Sequence, residues 1–272
     1  MKILVSCAMF SIIAAISGCA GTGSTQSSQP STTNTKATSA SKETKSGPQD
    51  PLYSLTLMRQ GSLLLQQGQY DEALAKFEQA ERVAPGNATV YNMIGVCHLR
   101  TRTYDEALMA FNTALELVPS YTDARNNRGA TYLSLGQLRL AEVDFLAVLG
   151  DSTYPHRYRV FYNLGTTYRQ QGRLGAAEEN FQKAITAPFP VYEAYVELAE
   201  VVLEQGRTEE AVELLEEARL KFPERTEASF ELGRMLMGLG RVDEARPYLE
   251  EVLAKAPGSE IAHQAAVLLD SA

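Results

Sequence analysis

Few side chains in this chain could carry covalent or metal chemistry unaided, and their spacing keeps them apart. The cysteines are Cys7, Cys19 and Cys97, and the histidines are His98, His156 and His263. Structural metal sites draw ligands from closely spaced Cys or His pairs, and neither such a pairing nor a disulfide framework can be laid on these positions. Cys97 and His98 are adjacent, which invites a nucleophile-and-base reading. Successive helical residues point about 100° apart, so the two side chains do not face each other. The pair reads as a buried thiol beside a packed imidazole. No phosphate-cradling glycine loop is present either. The chain is therefore expected not to be an enzyme and to need no metal or cofactor.

The work must then lie in surfaces, and charge narrows the choice. A formal net charge of −8 over 272 residues opposes binding to nucleic acid, whose phosphates demand a basic surface, and opposes attraction to anionic headgroups. A protein partner is expected, with no nucleic acid and no small-molecule substrate.

The elements that would present such a surface announce themselves by repetition. Small residues recur at Gly61, Gly95, Gly129, Gly165, Ala199 and Gly233, at intervals of 34, 34, 36, 34 and 34, each followed twelve residues later by an alanine: Ala73, Ala107, Ala141, Ala177, Ala211 and Ala245. Leu57, Gly61 and Leu64 fall on one face of a first helix, and Ala73, Phe77 and Ala80 on one face of a second. Phe111, Phe145 and Phe181 repeat the aromatic position, which Leu215 and Leu249 take over in the last two repeats. Pro85, Pro119, Pro155, Pro188, Pro223 and Pro257 mark the ends. Pro247 lies inside the last second helix, near its start, where some kink is expected.

This period resembles the tetratricopeptide repeat (TPR). The resemblance implies an all-α, right-handed superhelix of six helix-turn-helix repeats over residues 51–272: about 54–87, 88–121, 122–155, 158–191, 192–225 and 226–259, with a capping helix at 260–270. Ile261, Ala265, Leu268 and Leu269 would cover the apolar face that an end repeat otherwise exposes. The third repeat departs from the pattern. Two extra residues enter around Gly150 to Pro155, and Arg128 stands where an apolar residue is usual; it either snorkels along its aliphatic stem or turns its charge to a partner.

Residues 1–18 read as an export signal, with Lys2 ahead of an apolar run from Ile3 to Ile16 too short to span a bilayer. The run ends in Ile16-Ser17-Gly18-Cys19, which resembles the lipobox of bacterial lipoproteins. That resemblance makes Cys19 the lipid anchor, and Ala20 after it favours the outer membrane over the inner, with the folded part facing the periplasm. A plain secretory signal cut nearby is the alternative. Several acyl chains, at roughly 0.8 kcal/mol per buried methylene, would hold the protein durably. Residues 19–50, rich in Ser, Thr and Gln and without an aromatic, cannot bury enough surface to fold and read as a tether. Its reach is roughly 30 Å root-mean-square and about 100 Å when extended.

In TPR proteins the inner surface is lined by the first helix of each repeat. Carried onto this chain, its fifth position implies protein binding by Met58, Asn92, Asn126, Tyr162, Val196 and Phe230. The twelfth position adds Leu65, Leu99, Leu133, Arg169, Leu203 and Met237, and Arg159 joins from the second. An apolar, amide-lined groove suits a peptide whose backbone the Asn side chains can bond in both directions. Arg159 and Arg169, followed by Glu193, Glu200, Glu204 and Glu227, suggest a partner segment of mixed charge.

A lipobox, a polar tether and six TPRs with an insertion after the third together resemble the Tgl, PilF and PilW pilotin lipoproteins of type IV pilus systems. The stretch Asp151-Ser152-Thr153-Tyr154-Pro155 leading into Phe161-Tyr162-Asn163-Leu164-Gly165 carries that resemblance most specifically. It implies an adaptor that binds secretin subunits and promotes their localisation and multimerisation at the outer membrane. A general envelope scaffold that docks peptidoglycan enzymes or other complexes is the alternative.

Overall fold

The computed structural model describes residues 51–188 and 190–271. The export signal, Cys19 and the tether fall outside these residues. All regular elements among the described residues are α-helices: α1 (Pro51–Gln66), α2 (Tyr70–Val83), α3 (Ala88–Arg100), α4 (Tyr104–Leu117), α5 (Thr122–Ser134), α6 (Leu138–Leu149), α7 (Arg157–Gln170), α8 (Leu174–Ile185), α9 (Tyr192–Glu204), α10 (Thr208–Lys221), α11 (Thr226–Gly238), α12 (Val242–Lys255) and α13 (Glu260–Asp270). This is the all-α helical repeat expected from the period. The chain forms two compact units, one ending at Arg128 and the other beginning at Gly129.

One contact explains the sixteen-residue offset between small and large residues in each repeat. A methyl built on Gly61 would lie 2.8 Å from the Phe77 ring, and one on Gly95 2.6 Å from Phe111. The same holds for Gly129 on Phe145, Gly165 on Phe181 and Gly233 on Leu249, at 2.9, 2.7 and 2.7 Å. A hydrogen in place of a side chain lets the second helix lay its large residue against the first helix's backbone. Phe77, Phe111, Phe145, Phe181 and Leu249 are accordingly buried without exposed surface.

In the unit ending at Arg128, α1 packs on α2, α2 on α3 and α3 on α4. Cys97 is buried there, and burial above all, helped by the charge of Asp71, pushes its thiol up to about 12. It is protonated, and inert as a nucleophile, at neutral pH. His98 turns instead to Thr103, Nδ1 to Oγ1 at 2.8 Å. Arg128 is half-buried, and its Nη1 donates to Asn112 Oδ1 at 2.8 Å. The turn between α3 and α4 places Arg102 at φ 63°, a conformation that the corresponding turns after α1, α5, α7, α9 and α11 assign to glycine.

In the unit beginning at Gly129, the two-residue insertion has a defined shape. The Asp151 carboxylate accepts from Thr153 N at 3.0 Å and from Thr153 Oγ1 at 2.6 Å, while Tyr154 is buried. Arg157 Nη1, at the start of α7, donates to the carbonyls of Leu149 and Asp151 at 2.8 and 2.9 Å. A cation thus satisfies carbonyls that the end of α6 leaves without helical partners. Pro247 is accommodated within α12 without ending it. At the far end α13 lays Ala262 and Ala265, with Ile261, Leu268 and Leu269 beside them, over Phe230, Leu249 and Val252.

Candidate functional site

The first helices of the repeats present the residues expected to bind. In the unit ending at Arg128, Met58 is half-buried and Asn87 Nδ2 lies 3.9 Å from its sulfur. Asn92 is buried: its Oδ1 accepts from Asn127 Nδ2 at 3.0 Å, and its Nδ2 lies 3.5 Å from the Tyr121 hydroxyl. Asn126 has no exposed surface, and neither of its amide atoms finds a hydrogen bond among the described residues. Leu65 and Leu99 are buried as well, as is Leu133 in the other unit. These side chains are committed to packing between helices, which leaves little of them for a partner.

The first helices α7, α9 and α11 of the unit beginning at Gly129 are different, because they carry a connected set of charges. Arg169 on α7 reaches Glu197 and Glu200 on α9 through Nη1, both at 2.7 Å, and Glu204 through Nη2 at 2.6 Å. Glu200 also receives Arg234 of α11 at 3.1 Å, and Arg234 pairs with Glu231 at 2.6 Å. Arg225, just before α11, lies 3.3 Å from Glu193 at the start of α9. Glu227 is exposed and makes no ion pair with the described residues.

Burial governs how these groups titrate. It pushes the Glu197 carboxyl up, opposed by the charge and hydrogen bond of Arg169 and reinforced by the nearby Glu200 and Glu204. Burial likewise raises Glu231 against the pull of Arg234. The Arg169 guanidinium is itself held firmly charged, its desolvation outweighed by Glu204, Glu197 and Glu200. The two sides of the Arg169–Glu197 contact therefore shift in ways that would conflict for an isolated pair. They agree here because burial and the neighbouring Glu200 and Glu204 outweigh Arg169 at Glu197, while three carboxylates together outweigh desolvation at Arg169.

Among the other expected residues, Tyr162 is buried with its ring centroid 5.9 Å from that of Phe181. Phe230 is buried beneath α13, and Val196 is half-buried. Arg159 lies over the Tyr158 ring, 5.6 Å from its centroid, and donates to the Tyr158 hydroxyl at 3.2 Å. Sequence reasoning passed over Glu197, Glu231, Arg234 and Tyr192. A period-based signal was available for three of them: Glu231 follows Glu197 by one repeat, and Arg234 follows Glu200 by one repeat with the sign reversed.

A family model described as tetratricopeptide repeat matches residues 58–122 and 196–260, and a second of the same description matches 158–188. No curated protein matches the chain in sequence. Among solved structures, one titled as the crystal structure of PilW, a widely conserved type IV pilus biogenesis factor, is 22% identical with TM-score 0.70, over 78% of this chain and 98% of that one. PilF of Pseudomonas aeruginosa is 19% identical with TM-score 0.62, over 79% and 97%. TTC0263, a thermophilic TPR protein of Thermus thermophilus, is 21% identical with TM-score 0.58, over 68% and 99%. At these identities the likeness is one of fold. With the paired helices, the small-on-large contact in repeat after repeat, and family matches that together span more than half of the residues, the chain belongs to the tetratricopeptide repeat family.

Proposed function

We propose that this protein is an adaptor of type IV pilus biogenesis, a pilotin that Cys19 anchors to the outer membrane and that binds secretin subunits in the periplasm. The observation that carries the reading is the extent of the match to PilW and PilF, each covered over nearly its whole length. The lipobox-like Ile16-Ser17-Gly18-Cys19 and the insertion at Asp151 to Pro155 support it from the sequence side. In this mechanism acyl chains fix one end and the repeats hold the partner. Confinement at the membrane then raises the local concentration of secretin subunits and favours their assembly.

Deleting the gene and assaying outer-membrane fractions for heat-resistant secretin multimers tests it. Loss of the multimers and of surface pili is expected, with restoration by the wild-type gene and not by one encoding Cys19→Ser. Unchanged multimers with normal piliation would overturn the reading. The fold also occurs in TTC0263, a thermophilic TPR protein, and a general envelope scaffold is the second reading. Crosslinking in cells that recovers cell-wall hydrolases without secretin would favour it.

A further inference from the structure

We propose that the N-terminal turns of α9 and α11 dock a cationic segment of the partner protein, whose Lys or Arg side chain enters among Glu193, Glu227 and Glu231 and hydrogen-bonds the Tyr192 hydroxyl. The proposal rests on the adaptor reading above and names the chemistry of the segment it would hold.

Two independent observations meet at this place. The first is charge. Arg169 and Arg234 are consumed by Glu197, Glu200, Glu204 and Glu231, so neither is left to attract an anion. Arg225 answers only Glu193, at 3.3 Å, and Glu227 is unanswered and exposed. The face is therefore negative in excess, and a cationic segment suits it better than the mixed-charge one expected from sequence. Carboxylates in the first turn of a helix also complement its dipole, which accounts for Glu193 and Glu227 in part. The dipole explains neither the half-buried Glu231 nor the buried Tyr192.

The second observation is that tyrosine. Tyr192 is 6% exposed, and its hydroxyl is enclosed with no hydrogen-bond partner among the described residues. Leaving such a group unmatched is costly, so an orphaned hydroxyl calls for an explanation. Tyr192 opens α9 directly before Glu193, and Arg225 ties the two together by lying over the Tyr192 ring while pairing with Glu193, so the tyrosine stands at the negative face. Its oxygen can accept from an ammonium or guanidinium that the carboxylates hold in place.

Arg225 already brings a cation to the tyrosine's ring. Its guanidinium carbon lies 4.9 Å from the Tyr192 ring centroid, and its side chain is 41% exposed. Held by one carboxylate and one ring and partly exposed, it is an internal stand-in for the ligand's cation and open to displacement. Exchange of Arg225 for a cation of the segment conserves charge and brings a donor to the tyrosine, and the neighbouring carboxylates steer the incoming segment.

Fluorescence anisotropy of the purified protein with a short labelled lysine–alanine peptide, against its glutamate–alanine counterpart, tests the proposal. The lysine peptide is expected to bind, more weakly as salt rises, and the glutamate peptide not to bind. Glu227→Gln with Glu231→Gln should weaken binding about fivefold, as two partly exposed charges allow. Tyr192→Phe should weaken it about threefold, the scale of one hydrogen bond, without loss of thermal stability. Arg225→Gln should tighten it. The exposed pair Glu213→Gln with Glu250→Gln, on α10 and α12, should leave it unchanged. Equal binding by Tyr192→Phe and wild type, or an equal loss from the Glu213/Glu250 control, would overturn the proposal. So would failure of the lysine peptide to bind. If secretin multimers still depend on the protein in that event, the adaptor reading stands and the docking face alone is wrong.

Discussion

Glu197 on α9 and Glu251 on α12 show how differently burial and pairing act on one residue type. Glu197 has its carboxyl raised, burial first and then crowding by Glu200 and Glu204 exceeding the help of Arg169. Glu251 on α12 has its carboxyl lowered, chiefly by the hydrogen bond from Lys255 at 2.5 Å, with Ser229 Oγ at 3.0 Å adding to it. The signs of their linkage to folding are opposite. Glu197 contributes stability that is fully present below its unfolded value near ~4.3 and is lost as pH climbs through its raised folded value. Glu251 contributes stability that is present above ~4.3 and is lost as pH falls through its lowered folded value. Glu197→Gln is therefore expected to match or exceed the wild type in thermal stability at pH 7, with the difference vanishing below about pH 4. Glu251→Gln should lose about 0.5 kcal/mol at pH 7 and converge on the wild type near pH 3. Melting curves at pH 7, 5 and 3 decide it, and a Glu197→Gln protein clearly weaker than wild type at pH 7 would contradict the assignment.

At the scale of the helix pair, two glycines in one repeat should respond to alanine with opposite signs. Gly165 in α7 faces the Phe181 ring of α8, where an added methyl would stand 2.7 Å from two ring carbons. Phe181 has no exposed surface into which to retreat. Overpacking costs about 1–3 kcal/mol against a helix-propensity gain of about 1, so Gly165→Ala should lose about 1 kcal/mol net. Gly175 in α8 has nothing within 4 Å of that position, and Gly175→Ala should gain about 0.5 kcal/mol. Denaturant titration of both variants checks the pair; a stable Gly165→Ala would mean that α7 and α8 can separate at low cost. This contact also explains why the helices were legible in sequence. Its two halves sit sixteen residues apart, small then large, and recur with the period. The charged face was less legible. Arg169 finds its partners 28, 31 and 35 residues ahead, so the choice rests on side-chain reach across two helices and not on the period. The orphaned Tyr192 hydroxyl had no sequence signal, because a tyrosine at a repeat's first position looks the same with or without a hydrogen-bond partner. The burial of Asn92 and Asn126 was hidden for a related reason: a position in a repeat names the helix face, while the neighbouring helix decides how much of it stays open.

At the scale of the whole molecule, a repeat array is stabilised between neighbours, so damage should stay local. In the unit beginning at Gly129, α13 covers Phe230, Leu249 and Val252 with Ala262, Ala265 and flanking Ile261, Leu268 and Leu269. Each large apolar side chain that loses full cover costs roughly 1.5–3 kcal/mol, and removing α13 uncovers several together. The sum rivals the roughly 5–15 kcal/mol that holds a typical domain, so α11 and α12 should open often once the cap is gone. α1 to α4 belong to the other compact unit, and nothing in their packing calls on α13. A chain ending at Ser259 is therefore expected to show amide exchange faster by orders of magnitude in α11 and α12, a graded effect in α9 and α10, and wild-type protection in α2 and α3. Hydrogen exchange followed by mass spectrometry resolves the gradient. Equal acceleration in α2 and α3 would show the array to be a single cooperative block, and unchanged protection in α11 and α12 would show that α13 is not their cap.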